Sequence, residues 1–84
     1  MNIVVFGGSG FIGSRFIHAW NNRFNSTIVN IDKLTYAADQ SNLKSISSNK
    51  GYYFYNYDIN ETENIIKIIS KHKPDLLINF AAET

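Results

Sequence analysis

One stretch limits the possible folds more than any other: "NIVVFGGSGFIGS", Asn2 to Ser14. Asn2 to Phe6 is a short β-branched apolar run closed by glycines, and it reads as a strand buried on both faces. Phe11 to about Phe24 reads as a helix. Ile12, Phe16, Ala19 or Trp20, and Phe24 fall on one stripe at helical spacing, which predicts packing against a sheet. Between strand and helix stands Gly8-x-Gly10-x-x-Gly13, with Gly7-x-x-Gly10-x-x-Gly13 as an overlapping register. In either register one glycine permits a tight turn at positive φ, and another lets backbone approach a pyrophosphate closely. Gly13 allows the helix to pack near the strand. The helix N-terminus then offers free N–H groups and the positive end of its dipole to phosphates. A Walker A loop is excluded, because no Gly-Lys-Ser/Thr follows.

The remaining chain repeats the strand–helix alternation. "STIVNID", Ser26 to Asp32, reads as a second strand, and Asp39 to Ile46 carries a weak helical pattern. In "GYYFYNYD", Gly51 to Asp58, aromatics alternate at period two. Tyr53 and Tyr55 face one way and Tyr52 and Phe54 the other, as in a strand. Nothing basic interleaves with them, which argues against base stacking. Asn60 with Glu63 predicts a capping box. Ile65, Ile66, Ile68 and Ile69 form the apolar face of the helix that follows. Lys71, His72 and Lys73 complement its dipole at a solvated end, and Pro74 stops it. "DLLINF", Asp75 to Phe80, is a fourth strand. His18 reads as a surface or packed histidine. The order β-α-β-(α)-β-α-β predicts an α/β fold with a parallel sheet and right-handed crossover helices; taken with the glycine turn it is Rossmann-type, a sheet whose first four strands run in the order 3-2-1-4.

Acids stand where such a sheet binds ligands, at the carboxyl ends of its strands. Asp32 closes the second strand about 20 residues past the glycine turn, the spacing of an acid that accepts hydrogen bonds from an adenosine ribose and repels a 2′-phosphate. NAD rather than NADP is therefore the expected cofactor. Asp58 closes the third strand and reads either as a partner for the adenine amino group or as a turn acid or helix cap. Ala81, Ala82 and Glu83 close the fourth, where small residues let backbone pass close to a ribose or nicotinamide.

Composition narrows the alternatives. The 84 residues carry a formal net charge of +1, so no strong electrostatic pull toward nucleic acid or anionic lipid is expected. There is no cysteine, which excludes disulfides, thiolate catalysis and zinc–cysteine sites and fits a reducing cytoplasm. No apolar run approaches the ~18 residues of a membrane span. The chain runs straight into a strand, so no signal peptide is expected. Asn25-Ser26-Thr27 and Asn60-Glu61-Thr62 are accordingly read as chance matches to the glycosylation pattern.

"GGSGFIGS", "DKLTYA", "DI" and "AAET" together resemble the extended short-chain dehydrogenase/reductase superfamily, over essentially the whole chain. "NIDKLTYAAD", Asn30 to Asp39, is similar to the stretch that marks the dTDP-glucose 4,6-dehydratases, and "AAET" is close to their usual "AAES". Phe6 departs from the threonine common before the glycines. The resemblance implies a tightly held NAD that cycles within one turnover, with oxidation at the sugar C4, loss of water across C5 and C6, and hydride return at C6. It implies backbone contacts from Phe11 and Ile12 to the pyrophosphate, in a cofactor-binding turn that includes Gly7, Gly10 and Gly13. It places Asp32, Lys33, Leu34 and Thr35 around the adenosine ribose, and Asp58 and Ile59 at the adenine. Phe80, Ala81, Ala82, Glu83 and Thr84 would line the nicotinamide half, with Thr84 near a sugar-nucleotide substrate. A homodimer is implied for the whole protein.

The superfamily's chemistry needs Tyr-x-x-x-Lys, in which the lysine lowers the tyrosine pKa so that it can act as a base. Tyr36, Tyr52, Tyr53, Tyr55 and Tyr57 are followed four residues on by Gln40, Asn56, Tyr57, Ile59 and Glu61. No catalytic residue is therefore expected in this chain. The expectation is the N-terminal part of an NAD-binding domain, with the rest of that domain and the substrate domain outside it. Its fourth strand would be an open apolar edge, leaving the segment alone marginal or prone to aggregate. A 4-epimerase of the same superfamily and a non-catalytic dinucleotide-binding module are the competing readings.

Overall fold

In the computed structural model, which describes residues 1–34 and 40–81, four strands form one parallel sheet ordered β3-β2-β1-β4. They are β1 (Ile3–Phe6), β2 (Ile28–Ile31), β3 (Tyr52–Tyr55) and β4 (Leu76–Asn79). Single ladder bonds carry the pairing past these residues at the carboxyl ends: Gly7 N–H to Ile31 O at 2.8 Å, Asp32 N–H to Tyr55 O at 3.1 Å and Phe80 N–H to Phe6 O at 2.7 Å. The connections are helix α1 (Phe11–Arg23), a 3₁₀ segment (Gln40–Ile46) kinked at Leu43, and helix α2 (Thr62–His72).

Strand alternation sorts the core into two layers. Ile3, Val5 and Ile28 face α1 and the 3₁₀ segment, where Ile17, Leu43 and Ile46 close over them with Phe16, Trp20 and Tyr52. Val4, Phe6, Val29 and Ile31 face α2, where Ile65 and Ile68 are buried and Ile69 packs alongside. β1 and β2 are buried on both faces, as near-continuous apolar strands of a parallel sheet must be. β4 is different: Leu76 and Leu77 are 41% and 53% exposed, on the open edge that the sequence predicts.

Four local expectations need correction. Ile12 and Phe24 do not join the core stripe of α1; they are exposed, and Gly13, Ser14 and Ile17 form the buried face. Gly13 sets that face, because it must lie against the turn, and the stripe rotates with it. Ile66 is likewise exposed on α2. The Asn60–Glu63 capping box does not form: Glu61 is the N-cap of α2, with no side-chain cap bond. Asp58 instead accepts from Asn60 N–H at 2.9 Å, and Glu61 accepts from Asp58 N–H at 2.6 Å, so a local turn takes up these groups. His72 is not simply a solvated helix end. Its Nε2 lies 2.8 Å from the Tyr55 hydroxyl and its ring packs on Tyr53. Burial, and then the charge of Lys71, hold its pKa below the usual value.

α2 ends as expected: Lys73 adopts a left-handed conformation at φ 47°, its N–H bonds Ile69 O at 2.8 Å, and Pro74 follows. His18 is packed, with Nε2 2.7 Å from Asn42 O. Asp39, the first residue of the expected weak helix, lies outside the described residues.

Candidate functional site

The carboxyl ends of the strands converge on the turn between β1 and α1. Gly7 has φ +76°, and a Cβ there would fall 2.6 Å from Ala81 N, so β4's exit passes directly behind the turn. Gly10 caps α1 without any side-chain bond, and the first intrahelical bond runs from Ser14 N–H to Gly10 O at 2.9 Å. The amides of Phe11, Ile12 and Gly13 therefore have no intrahelical acceptor. The Phe11 and Ile12 side chains are exposed and turn away from the core, leaving the backbone to face a ligand. No acid sits in the first turn to oppose the positive end of the helix dipole, and the Arg15 guanidinium lies 5.0 Å over the Phe11 ring. Gly13 completes the close approach, since a Cβ there would collide with the Gly7 carbonyl.

Asp32 is buried, 7% exposed, and bound to the turn itself. Oδ2 accepts from Ser9 N–H at 2.9 Å and Oδ1 from Leu34 N–H at 2.8 Å. A carboxylate has about four lone-pair sites, so both oxygens keep capacity for a further donor such as a ribose hydroxyl. Leu34 holds φ 57°, a conformation that a non-glycine residue adopts at a cost of about 1–2 kcal/mol. Its bond to Asp32 offsets part of that cost.

Lys33 joins two strand ends: its Nζ lies 3.7 Å from Asp58 Oδ2. Asp58 thus serves the local turn and faces the region beyond β2, beside the exposed Ile59. At β4's exit the half-buried Phe80 ring packs on Phe16, at a centroid distance of 5.5 Å. Ala81 N–H bonds Asn79 Oδ1 at 2.8 Å. The structure therefore gathers Gly7, Gly10, Phe11, Ile12, Gly13, Asp32, Lys33, Leu34, Asp58, Ile59, Phe80 and Ala81 at one end of the sheet. Thr35, Ala82, Glu83 and Thr84 lie outside the described residues.

Sequence reasoning misses Asn30. It sits in the middle of β2, fully buried, with Oδ1 accepting from Gly8 N–H at 2.9 Å and Nδ2 donating to Ser9 Oγ and Tyr52 Oη, each at 3.0 Å. The signal in the sequence is an amide inside an otherwise apolar buried strand, which must find partners. Burial pushes the Tyr52 hydroxyl pKa up, the hydrogen bond from Asn30 partly offsets this, and the Asp32 charge adds to it. A cavity of about 470 Å³ opens beside Ser9 and Tyr52, floored by Leu43 and Phe54 and rimmed by Lys44 and Ser47. It lies beside the 3₁₀ segment and reaches the glycine turn at Ser9.

A glycine turn braced by a buried acid, at the switch between β1 and its neighbours, is the geometry of dinucleotide-binding sheets. The sequence profile of the NAD dependent epimerase/dehydratase family matches residues 3–84. The chain belongs to that family. Curated relatives include dTDP-glucose 4,6-dehydratase of Haemophilus influenzae, 46% identical over the whole chain and 25% of its own length, and dTDP-glucose 4,6-dehydratase 1 of Escherichia coli, 38% identical over 23% of its length. The chain thus spans about a quarter of the curated relatives it matches. Among solved structures, dTDP-glucose 4,6-dehydratase of Bacillus anthracis in complex with NAD superposes with a TM-score of 0.96 at 40% identity, covering 99% of this chain and 27% of that one. UDP-glucose 4-epimerase of Thermotoga maritima with UDP-glucose gives 0.81 at 32% identity, covering 100% of this chain and 25% of that one.

Proposed function

We propose that this chain is the NAD-binding front part of a dTDP-glucose 4,6-dehydratase, a lyase that converts dTDP-glucose to dTDP-4-keto-6-deoxyglucose. The observation that carries the reading is the buried Asp32 hydrogen-bonded to a glycine turn whose helix amides have no acceptor among the described residues. Whole-chain similarity to dehydratases, one of them solved with NAD, supports the choice of cofactor and reaction. The residues fit the dinucleotide. Phe11, Ile12 and Gly13 amides would bind the pyrophosphate, with Gly7 and Gly10 leaving room for it. Asp32, Lys33, Leu34 and Thr35 would hold the adenosine ribose, and Asp58 and Ile59 the adenine. Phe80 to Thr84 would back the nicotinamide half, with Thr84 toward the sugar nucleotide.

When bound, NAD supplies a hydride acceptor that is regenerated within the turnover. The contribution of this chain is to hold and orient it. Proton transfer belongs to residues outside this segment, since no tyrosine here is followed by the lysine that would lower its pKa. A homodimer in the cytoplasm is the expected form of the whole enzyme.

Similarity to UDP-glucose 4-epimerases keeps one alternative in view. The deciding experiment is mass spectrometry of a sugar nucleotide incubated with the protein as its source organism makes it. A dehydratase gives a product lighter by one water. An epimerase gives an isomer of unchanged mass. Bound NAD without turnover of any sugar nucleotide would favour a silent binding module.

A further inference from the structure

The glycine turn is held from behind by Asp32 and by two side chains that the ligand-facing roles above do not use, Asn30 and Asn42. Ser9 is 2% exposed, and each of its polar groups is taken by a different partner: N–H by Asp32 at 2.9 Å, hydroxyl by Asn30 at 3.0 Å, and carbonyl by Asn42 Nδ2 at 3.1 Å. Asn30 also accepts the neighbouring Gly8 N–H, and a Cβ on Gly8 would run into the Asn30 side chain. Asn42 is anchored in turn, its carbonyl 2.7 Å from His18 Nε2 on α1.

An aliphatic residue at position 30 would serve the core of β2 at least as well. A buried amide there is costly unless every polar atom is satisfied. Here both atoms are satisfied, and the partners are two groups of the turn and one tyrosine hydroxyl. What this arrangement specifies is the shape of the turn. A glycine-rich segment has much backbone freedom to lose, about 1–2 kcal/mol per residue fixed, and a turn already fixed before binding spares the ligand that cost.

We propose that Asn30 is a positioning residue for the dinucleotide: it locks Gly8 and Ser9 so that the free amides opening α1 point at the pyrophosphate, and Asn42 completes the lock from the 3₁₀ segment. This rests on the dinucleotide reading given above.

The test is calorimetric titration of the protein as its source organism makes it, first freed of any nucleotide it carries, comparing wild type, Asn30→Ala and Asn42→Ala with NAD, ADP and adenosine. Asn30→Ala should weaken NAD and ADP roughly tenfold, the scale of a lost buried hydrogen bond. Adenosine, which lacks the pyrophosphate, should bind as before. Asn42→Ala should show the same pattern at smaller size. It lies on the half-buried 3₁₀ segment, so it carries the test if Asn30→Ala fails to fold. Equal losses for adenosine and ADP would reduce both residues to supports of the fold and overturn the inference, as would unchanged affinity for all three. Wild-type protein that binds neither NAD nor ADP would overturn the dinucleotide reading itself.

Discussion

Gly13→Ala sets two well-known effects against each other. Inside a helix, alanine is favoured over glycine by about 1 kcal/mol. At this position, however, the new methyl would stand 2.9 Å from Gly8 Cα and 3.1 Å from the Gly7 carbonyl carbon, with the Gly7 oxygen closer still. All three are backbone atoms. They belong to a turn pinned by Asn30 and Asp32, so they cannot yield as a side chain would. Relief requires α1 to move off the sheet, an overpacking cost of about 1–3 kcal/mol, and the helix amides move with it. The expected result is a net loss of up to about 2 kcal/mol in urea unfolding, together with weaker NAD binding. Gly51→Ala is the control. A methyl there would meet only Ser26 O, at an ordinary 3.5 Å, and the position needs no positive φ. It should gain about 0.4–1 kcal/mol through the unfolded chain. If Gly13→Ala stabilises the protein as Gly51→Ala does, the close approach of helix to turn is not what Gly13 provides.

Three further outcomes are expected. Asp32→Ala should narrow the preference for NAD over NADP, because the carboxylate that would repel a 2′-phosphate is gone; equal affinity of wild type for both cofactors would contradict this role. Burial and Lys71 hold His72 below its usual 6.5, so below that pH the unfolded chain binds more protons than the folded one. Stability should be complete above pH 6.5 and fall as the pH drops beneath it, and His72→Gln should flatten thermal midpoints across that window. Residues 1–84 produced alone should associate through the open β4 edge, and Leu77→Lys should reduce association in sedimentation; a monodisperse, cooperatively unfolding wild-type segment would refute the edge argument.

The elements legible in the sequence are those whose signals are local. β1 is a continuous apolar run and β2 is one broken only by Asn30, α2 is a run of isoleucines at helical spacing stopped before Pro74, and the parallel sheet follows from alternation of strands and helices. The glycine turn and Asp32 are legible because spacing alone ties them to a fold. Sequence and structure part where a distant group decides the outcome. The face of α1 is set by Gly13 against Gly7, which moves Ile12 out of the core. His72 finds Tyr55, 17 residues away, through the packing of α2 on β3. At Asn60 the backbone N–H that a capping box would give to Glu63 goes to Asp58 instead, and the turn prevails over the cap. Asn30 escapes notice because its amide, read along the strand, has no neighbour that explains it. Its partners lie 21 and 22 residues away and are visible only in three dimensions.

The central strand pairs with both an early and a late partner. Ile3 lies beside Ile28 on one side and Leu76 on the other, and the Asn2–Asp75 backbone and side-chain bonds that clamp the second pairing span 73 residues. Closing the longer loop costs roughly 1 kcal/mol more than closing the shorter one. During synthesis, at about 5–20 residues per second, β1 waits several seconds with one edge bare while the rest of the segment emerges. The β1–α1–β2 unit, which already contains the glycine turn, Asn30 and Asp32, is complete long before then. The half of the sheet that carries the glycine turn can thus take shape on the ribosome first, and the arrival of β4 covers the bare edge of β1.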